Sequence, residues 1–496
     1  MNSFFRWATS LVFGAVIAYV TWTKEDVNNS ETEKPLQRKY GSVIAPNLLM
    51  TFILLMFAAA AISSDVRFSF DSLFPLICGV FISIGLFFAL FILLLPVLRK
   101  YVSAKAIALM WLLPNYLYIT VQNYMVLDKP RFVFDMGNVP MRTVSLIWIS
   151  AAALVFTAYV IRHFIFRFKL LRHAKPLGCG KVPFLWEKMQ TDYEFKKPCI
   201  KIVTSGNTAT PISVGLFRHT MVLVLPHTDY TEDELKLIFK HELIHIIRSD
   251  SQIKLFIAFC NAVCWFNPLM WIAMKKCSED LELSCDEYVI EDCSKVEKDL
   301  YGNLILSAVG NETGFTTCLS AGAEALKYRL TNIYKPKRRF KGSIIVGTVM
   351  AAMLLLSGNI AFSYNHQSLA EVFAGNVSEV NIDPSYISMG EDNSYKGYYC
   401  NDPDVLDDYL MDLSICQVSG YYSDMDNEGK HLYCHYQTDK GLVVVCLDDN
   451  TLEYSPLYTA GRKESRTYYL DEAVDWDHIM SIISLSPLEE EAEPDL

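Results

Sequence analysis

His241-Glu242-Leu243-Ile244-His245 sets two imidazoles four residues apart, with a carboxylate beside the first. On a helix, positions i and i+4 share a face, so both rings can reach one metal ion. Glu242 then stands where it can hold a proton taken from water polarised by that metal. These are the ligands and the base of a zinc peptidase. Catalytic zinc takes three protein ligands and keeps a fourth position open. Glu282, in the acidic run from Glu279 to Glu287, is the best third ligand. Asp286 lies four residues further on, on the same helical face, where it can orient a ligand histidine. Asp280, Cys285 and Glu287 are rival ligands, and Cys285 is softer than any carboxylate, so spacing leaves the choice open.

The elements that must carry these residues can be read locally. Thr231 with Glu234 forms a capping box, and Glu232 and Asp233 add negative charge to a first helical turn. Leu235, Ile238 and Phe239 then recur at helical spacing, which predicts a helix over about 231–248. The run around Glu282 reads as a second helix. Short strands are expected near 200–204 and 211–226, giving an α+β domain over 166–342. Residues 255–274 are apolar enough to cross a bilayer. A single crossing there would put His241 and Glu282 on opposite sides, and Asn261, Asn267 and Pro268 interrupt it. Two short helices or a re-entrant hairpin are therefore expected.

The chain is 52% hydrophobic with mean hydropathy +0.21, too apolar for an ordinary soluble enzyme. Six apolar stretches approach bilayer length: 4–22, 46–63, 73–97, 104–120, 143–165 and 343–363. Arg162, Arg167, Lys169, Arg172 and Lys175 follow the fifth; Lys335, Lys337, Arg338, Arg339 and Lys341 precede the sixth. Positive flanks face the cytoplasm, so the segment with the histidines is expected there. Arg99, Lys100 and Lys105 agree, as does the basic loop 23–45. Both termini then lie outside, with the first span retained rather than cleaved as a signal peptide. No direct nucleic-acid binding is expected.

Several stretches, in order, resemble the BlaR/MecR-type membrane zinc metallopeptidases, the antirepressor receptors of bacteria. Pro211 to Arg218 followed by Val222 to Pro226 resembles the strand pair before the active-site helix. Tyr230 to Asp250 resembles that helix. Trp265 to Leu269 with Trp271 is similar to the next signature, and Glu282 to Asp286 to the Glu-x-x-Cys-Asp element whose glutamate is the third zinc ligand. The likeness covers roughly 73–363. It implies a multi-span α-helical membrane protein of the bacterial cell membrane. A cytoplasmic α+β zinc-peptidase domain of gluzincin-like HExxH type would carry the site; the tail lies outside the likeness, and its own pattern predicts a small β-rich extracytoplasmic domain. The expected divisions are a two-span hairpin at 1–70 outside the likeness, three spans in 71–165, the peptidase at 166–342, the last span at 343–363 and an acidic domain at 364–496. The resemblance also implies signal transduction by cleavage of a cytoplasmic winged-helix repressor and of the chain itself, near Arg338–Arg339. A zinc-binding receptor or scaffold that cuts nothing is an alternative, and so is a protease that clears faulty membrane proteins.

The tail departs from that family. Residues 364–496 hold 27 acidic against 6 basic residues, near −21, which leaves the rest near +10 of the chain's −11. The best-known members carry a penicillin-binding sensor acylated on a serine three residues before a lysine. No lysine among Lys396, Lys430, Lys440 and Lys463 has such a partner. The signal sensed outside is therefore a different, unidentified one. Alternating stretches such as His431–Tyr436 and Leu442–Leu447 predict strands, with a turn near Asp439-Lys440-Gly441. Cys400, Cys416, Cys434 and Cys446 are even in number on the oxidising side, and Cys434–Cys446 with Cys400–Cys416 is the favoured pairing.

Overall fold

The computed structural model describes residues 3–26, 46–62, 70–119, 131–178, 180–193, 200–309, 323–334, 342–356, 359–391, 394–419, 430–458, 461–462 and 465–485. Arg338, Arg339, most of the basic loop 23–45 and the acidic end lie outside them.

Helices α1 (Ser3–Asp26), α2 (Pro46–Ile62) and α3 (Phe70–Tyr101) open the chain. α4 (Ala104–Met110) follows and runs into a 3-10 turn, Leu113–Ile119. The expected span at 104–120 is thus not one helix. At 1.5 Å per residue α4 rises only about 10 Å. Trp111, Leu112, Leu113, Leu117 and Tyr118 are all buried, so this broken segment is wrapped in protein. Irregular backbone is tolerated at membrane depth only under that condition. Strand β1 (Phe132–Asp135) comes next, then α5 (Met141–Leu171). α3, from Ser72, and α5 are long and apolar enough to cross a membrane; Trp7–Thr23, Leu49–Ala59 and Ser343–Leu356 are shorter apolar helices.

The part that carries the histidines has a four-stranded sheet: β2 (Lys175–Pro176), β3 (Lys201–Thr204), β4 (Ile212–Val214) and β5 (Val222–Leu225), in the order β2-β3-β5-β4. Thus β4 is an edge. Its helices are α6 (Lys181–Asp192), α7 (Glu232–Arg248), α8 (Asp250–Val263), α9 (Pro268–Ile290), α10 (Lys295–Val309) and α11 (Ala323–Tyr334). The apolar stretch 255–274 does break, at Cys264–Asn267, where Asn267 caps α9. α8 joins the core of the apolar helices. Trp148 of α5 donates to the Val263 carbonyl at 2.7 Å, and Phe156 meets Phe259 edge-on.

α12 (Ser343–Leu356) is shorter than the expected last span, because a strand already starts at Ile360. It packs on α1 through small residues. A Cβ on Gly347 would lie 2.5 Å from the Gly14 carbonyl oxygen, and one on Gly14 2.8 Å from the Ala351 Cβ. Gly14-x-x-x-Ala18 against Gly347-x-x-x-Ala351 is the small-residue contact by which apolar helices approach without a hydrophobic driving force.

The remaining strands are β6 (Ile360–Ser368), β7 (Val380–Glu391), β8 (Ser394–Cys400), β9 (Ser414–Val418), β10 (Lys430–Thr438), β11 (Gly441–Leu447), β12 (Thr451–Tyr458), β13 (Gly461–Arg462), β14 (Arg466–Leu470) and β15 (Ile483–Leu485). With β1 they form one sheet, β1-β6-β9-β14-β12-β11-β10-β7-β8-β15, and β13 on β12. β1 lies parallel to β6, so the loop before α5 and the chain after α12 share one side of the molecule. At the other end of α3, Arg99 meets Asp280 of α9 at 2.8 Å.

The expected hairpin exists, but its disulfide does not. Cys434 faces Val445, and Cys446 faces Tyr433. A one-residue offset sends two side chains to opposite faces of a sheet. Cys400 and Cys416 lie on β8 and β9, six strand spacings apart, or about 29 Å along the sheet. All four thiols are free.

Candidate metal centre and catalytic cavity

α7 begins as its sequence dictates. The Thr231 hydroxyl accepts the Glu234 N–H, and Glu234 reaches back to the Thr231 N–H at 2.8 Å. It ends at Ser249, whose φ of 62° is left-handed. A non-glycine residue adopts that conformation at a cost. The sharp turn brings Asp250 back under the helix, and the His245 Nδ1–H donates to Asp250 Oδ2 at 2.5 Å. Asp250 is itself gripped by Arg248, through Nε at 2.9 Å and through Nη2. Burial raises the Asp250 pKa, but Arg248 and His245 more than offset this and hold it below the usual range. It is therefore an anion that can only accept, which fixes the proton of His245 on Nδ1.

His241 is fixed in a similar way. Its Nδ1 is 2.8 Å from the Tyr301 hydroxyl, which donates to Asp286 Oδ1 at 2.7 Å. Asp286 also takes two hydrogen bonds from Arg329, at 2.7 and 2.8 Å. The expected orienting role of Asp286 thus runs mainly through Tyr301, since Asp286 itself stays 3.9 Å from the ring. Both Nε2 lone pairs are left pointing inward, 3.0 Å apart. Glu282 Oε2 lies 3.7 Å from one and 3.4 Å from the other, buried and without a hydrogen-bond partner.

Three acceptors converging on one point repel one another unless a cation lies between them. Ligands about 2.0–2.1 Å from a tetrahedral zinc are about 3.3–3.4 Å apart, and the three observed edges bracket that value. The electrostatics agree. Burial opposes charge on His241, yet Cys285 and Glu282 push its pKa up to about 9, and His245 rises likewise. Positive charge is drawn to the place a metal would take. Lys254 holds the other Glu282 oxygen at 3.3 Å. The residues present fit zinc.

The rivals are placed differently. Asp280 binds Arg99 and accepts from the Trp111 indole at 2.7 Å. Glu287 accepts the Ala104 N–H at 3.0 Å and so caps α4. Cys285 does lie within 4.8 Å of donor atoms of both histidines. Its Sγ is 3.5 Å from His241 Nδ1, the nitrogen already committed to Tyr301. Glu282 faces the nitrogens that are still free, and geometry favours it.

Glu242 stands at the wall of a 180 Å³ cavity lined by Ser213, Gly215, His245 and Lys254, with Tyr159 and Phe166 of α5. Its Oε2 accepts the Ser213 N–H at 2.9 Å and the Ser213 hydroxyl. Arg167 of α5 donates to the carbonyls of Val214 and Thr220, at 3.3 and 2.7 Å, and so pins the edge strand. His241 and His245 therefore meet as their spacing implies, Glu242 lines the cavity beside His245, and Glu282, which spacing left open against its rivals, reaches the same two nitrogens. Ser213, Asp250, Tyr301 and Arg329 were not singled out from sequence. Only Asp250, five residues after His245, had a local signal.

The family model of BlaR1 peptidase M56 matches residues 86–333, narrower than the likeness over 73–363. The regulatory protein BlaR1 of Bacillus licheniformis is 28% identical over 155 residues, 29% of this chain and 26% of that one. The methicillin resistance mecR1 protein of Staphylococcus aureus is 30% identical over 118 residues, 24% and 20% of the two chains. The chain thus spans about a quarter of the length of these curated relatives. A crystal structure of S. mikatae Ste24p aligns over 71% of this chain and 98% of its own, at 10% identity and a TM-score of 0.20.

Proposed function

This chain belongs to the BlaR1 peptidase M56 family, and from that premise we propose that it is a membrane zinc endopeptidase that transmits a signal by proteolysis. A metallopeptidase at the membrane is what the family and the two long apolar helices support. The observation that carries the finer reading is the convergence of His241 Nε2, His245 Nε2 and Glu282 Oε2, which has no hydrogen-bond partner and the Arg329 guanidinium 4.0 Å away.

These three residues are the proposed ligands. Zinc, when bound, supplies Lewis acidity that polarises a peptide carbonyl and lets water give up a proton near neutral pH. Glu242 takes that proton and returns it to the leaving amine. Ser213 anchors one Glu242 oxygen, so the carboxylate does not swing away from the cavity. Asp250 and Tyr301 keep the two imidazoles in the tautomer that offers Nε2. The cavity runs along β4, a sheet edge, which suits an extended peptide substrate.

The proposed substrates are a cytoplasmic winged-helix repressor and the chain itself, near Arg338–Arg339. N-terminal sequencing of the fragment released on stimulation tests the second; an intact chain in signalling-competent cells refutes it. The decisive test is Glu242→Gln. Zinc content should stay at the wild-type level, and cleavage of any substrate should cease. An enzyme still fully active would end the general-base assignment, and signalling that persists without cleavage would favour the scaffold reading.

A further inference from the structure

Away from the catalytic cavity, metal-ligating side chains also gather where the β-rich sheet meets the loop before α5. They are His366 of β6, Cys416 of β9 and Asp471, next after β14. One donor atom from each lies within 4.8 Å of the other two. The backbone is distorted to bring them there. Tyr364 pairs with Gln417 and Gln367 with Ile415, so Asn365 and His366 both stand opposite Cys416. This is a bulge of two residues against one, which bends a strand and re-aims a side chain. Asn365 pays for it with a left-handed φ of 55°.

The His366 ring is held at both nitrogens. Nδ1 is 3.1 Å from Asp471 Oδ2, and Nε2 is 2.9 Å from Asp135 Oδ1, at the end of β1. The His366 N–H donates to Asn138 Oδ1 at 2.6 Å, and Ser414 Oγ donates to Asp471 Oδ2 at 2.5 Å. Cys416 is a buried free thiol. Four adjacent strands thus meet at one polar point.

We propose that His366 Nδ1, Cys416 Sγ and an Asp471 carboxylate oxygen bind one divalent transition-metal ion of the zinc class, with Asp135 as the positioning carboxylate on Nε2–H. One nitrogen, one sulfur and one oxygen donor form a borderline set. Zinc accepts all three, whereas calcium and magnesium want oxygen alone. Carboxylate on one ring nitrogen and metal on the other is the usual arrangement around a ligand histidine. Binding displaces the thiol proton of Cys416 and the Nδ1 proton of His366 to solvent. The bound ion ties β6, β9 and β14 together, and through Asp135 it holds the loop before α5. This site is independent of the catalytic one, and either assignment can fail alone.

The test uses the full-length protein in detergent, loaded with Co²⁺ and dialysed. A His241→Ala/His245→Ala variant, lacking the catalytic imidazoles, should retain one Co²⁺ with a thiolate-to-cobalt charge-transfer band. Adding Cys416→Ser or His366→Ala should abolish both. Asp471→Asn, near-isosteric and partly exposed, should repeat the loss with the least risk to folding. Asp135→Asn should keep the band but weaken binding by roughly tenfold or more. Cys285→Ser in the same background should leave the band unchanged. The proposal is overturned if the double-histidine variant shows no band, if Cys416→Ser retains it, or if Cys285→Ser removes it.

Discussion

Tyr301→Phe tests the metal centre most sharply, because it removes one oxygen and leaves every proposed ligand in place. That oxygen receives the His241 Nδ1–H and donates to Asp286. Without it the Nδ1–H keeps only a weak acceptor, the Cys285 sulfur at 3.5 Å, in a buried site. Asp286 keeps its two bonds from Arg329, so no buried charge is orphaned. The loss therefore approaches that of one unsatisfied donor, about 1–3 kcal/mol. At about 1.4 kcal/mol per factor of ten, zinc affinity should fall about 5–150-fold, in line with the range for partners of metal-bound histidines. Competition with a chromophoric chelator measures this on the purified full-length protein. Once zinc is saturating, cleavage should largely recover, because Tyr301 contacts the ligand and not the substrate. Unchanged affinity in a folded variant would refute the relay. Lost cleavage at full zinc occupancy would mean that Tyr301 acts on the reaction itself.

Two further outcomes follow from the site and the topology. Glu282→Ala should strip zinc, while Cys285→Ala should leave at least most of it, as metal analysis of both will show; the reverse order would make Cys285 the third ligand. A reporter active only outside the membrane should work when fused after residue 370 and fail near residue 190, and the opposite pattern would place the catalytic body outside.

What could be read from the sequence was what short-range physics determines. The capping box at Thr231, the turn at Asp439–Lys440 and the one-turn spacing of His241 and His245 are local, and each appears where its residues imply. The partners Tyr301, Ser213 and Arg329 come from other elements, and nothing local marks them. Hydropathy alone did not show that 104–120 is a short helix and a 3-10 turn, because burial in protein and burial in lipid select the same residues. Asp280 and Glu287 look like ligands in sequence, but they fasten the 99–105 turn to α9. The proposed Cys434–Cys446 link failed by a single residue of register, which alternation alone does not set.

α5 joins the two ends of the molecule as one rod. It starts six residues after Asp135, whose strand pairs with β6, and it reaches the catalytic cavity with Tyr159 and Phe166 and the edge strand with Arg167. Its 31 residues span about 46 Å. A tilt of about 5° about one end carries the other end through about 4 Å, more than the reach of a hydrogen bond. Anything that shifts the sheet end of this lever must therefore either bend the helix or move the wall of the cavity against which Ser213 holds Glu242.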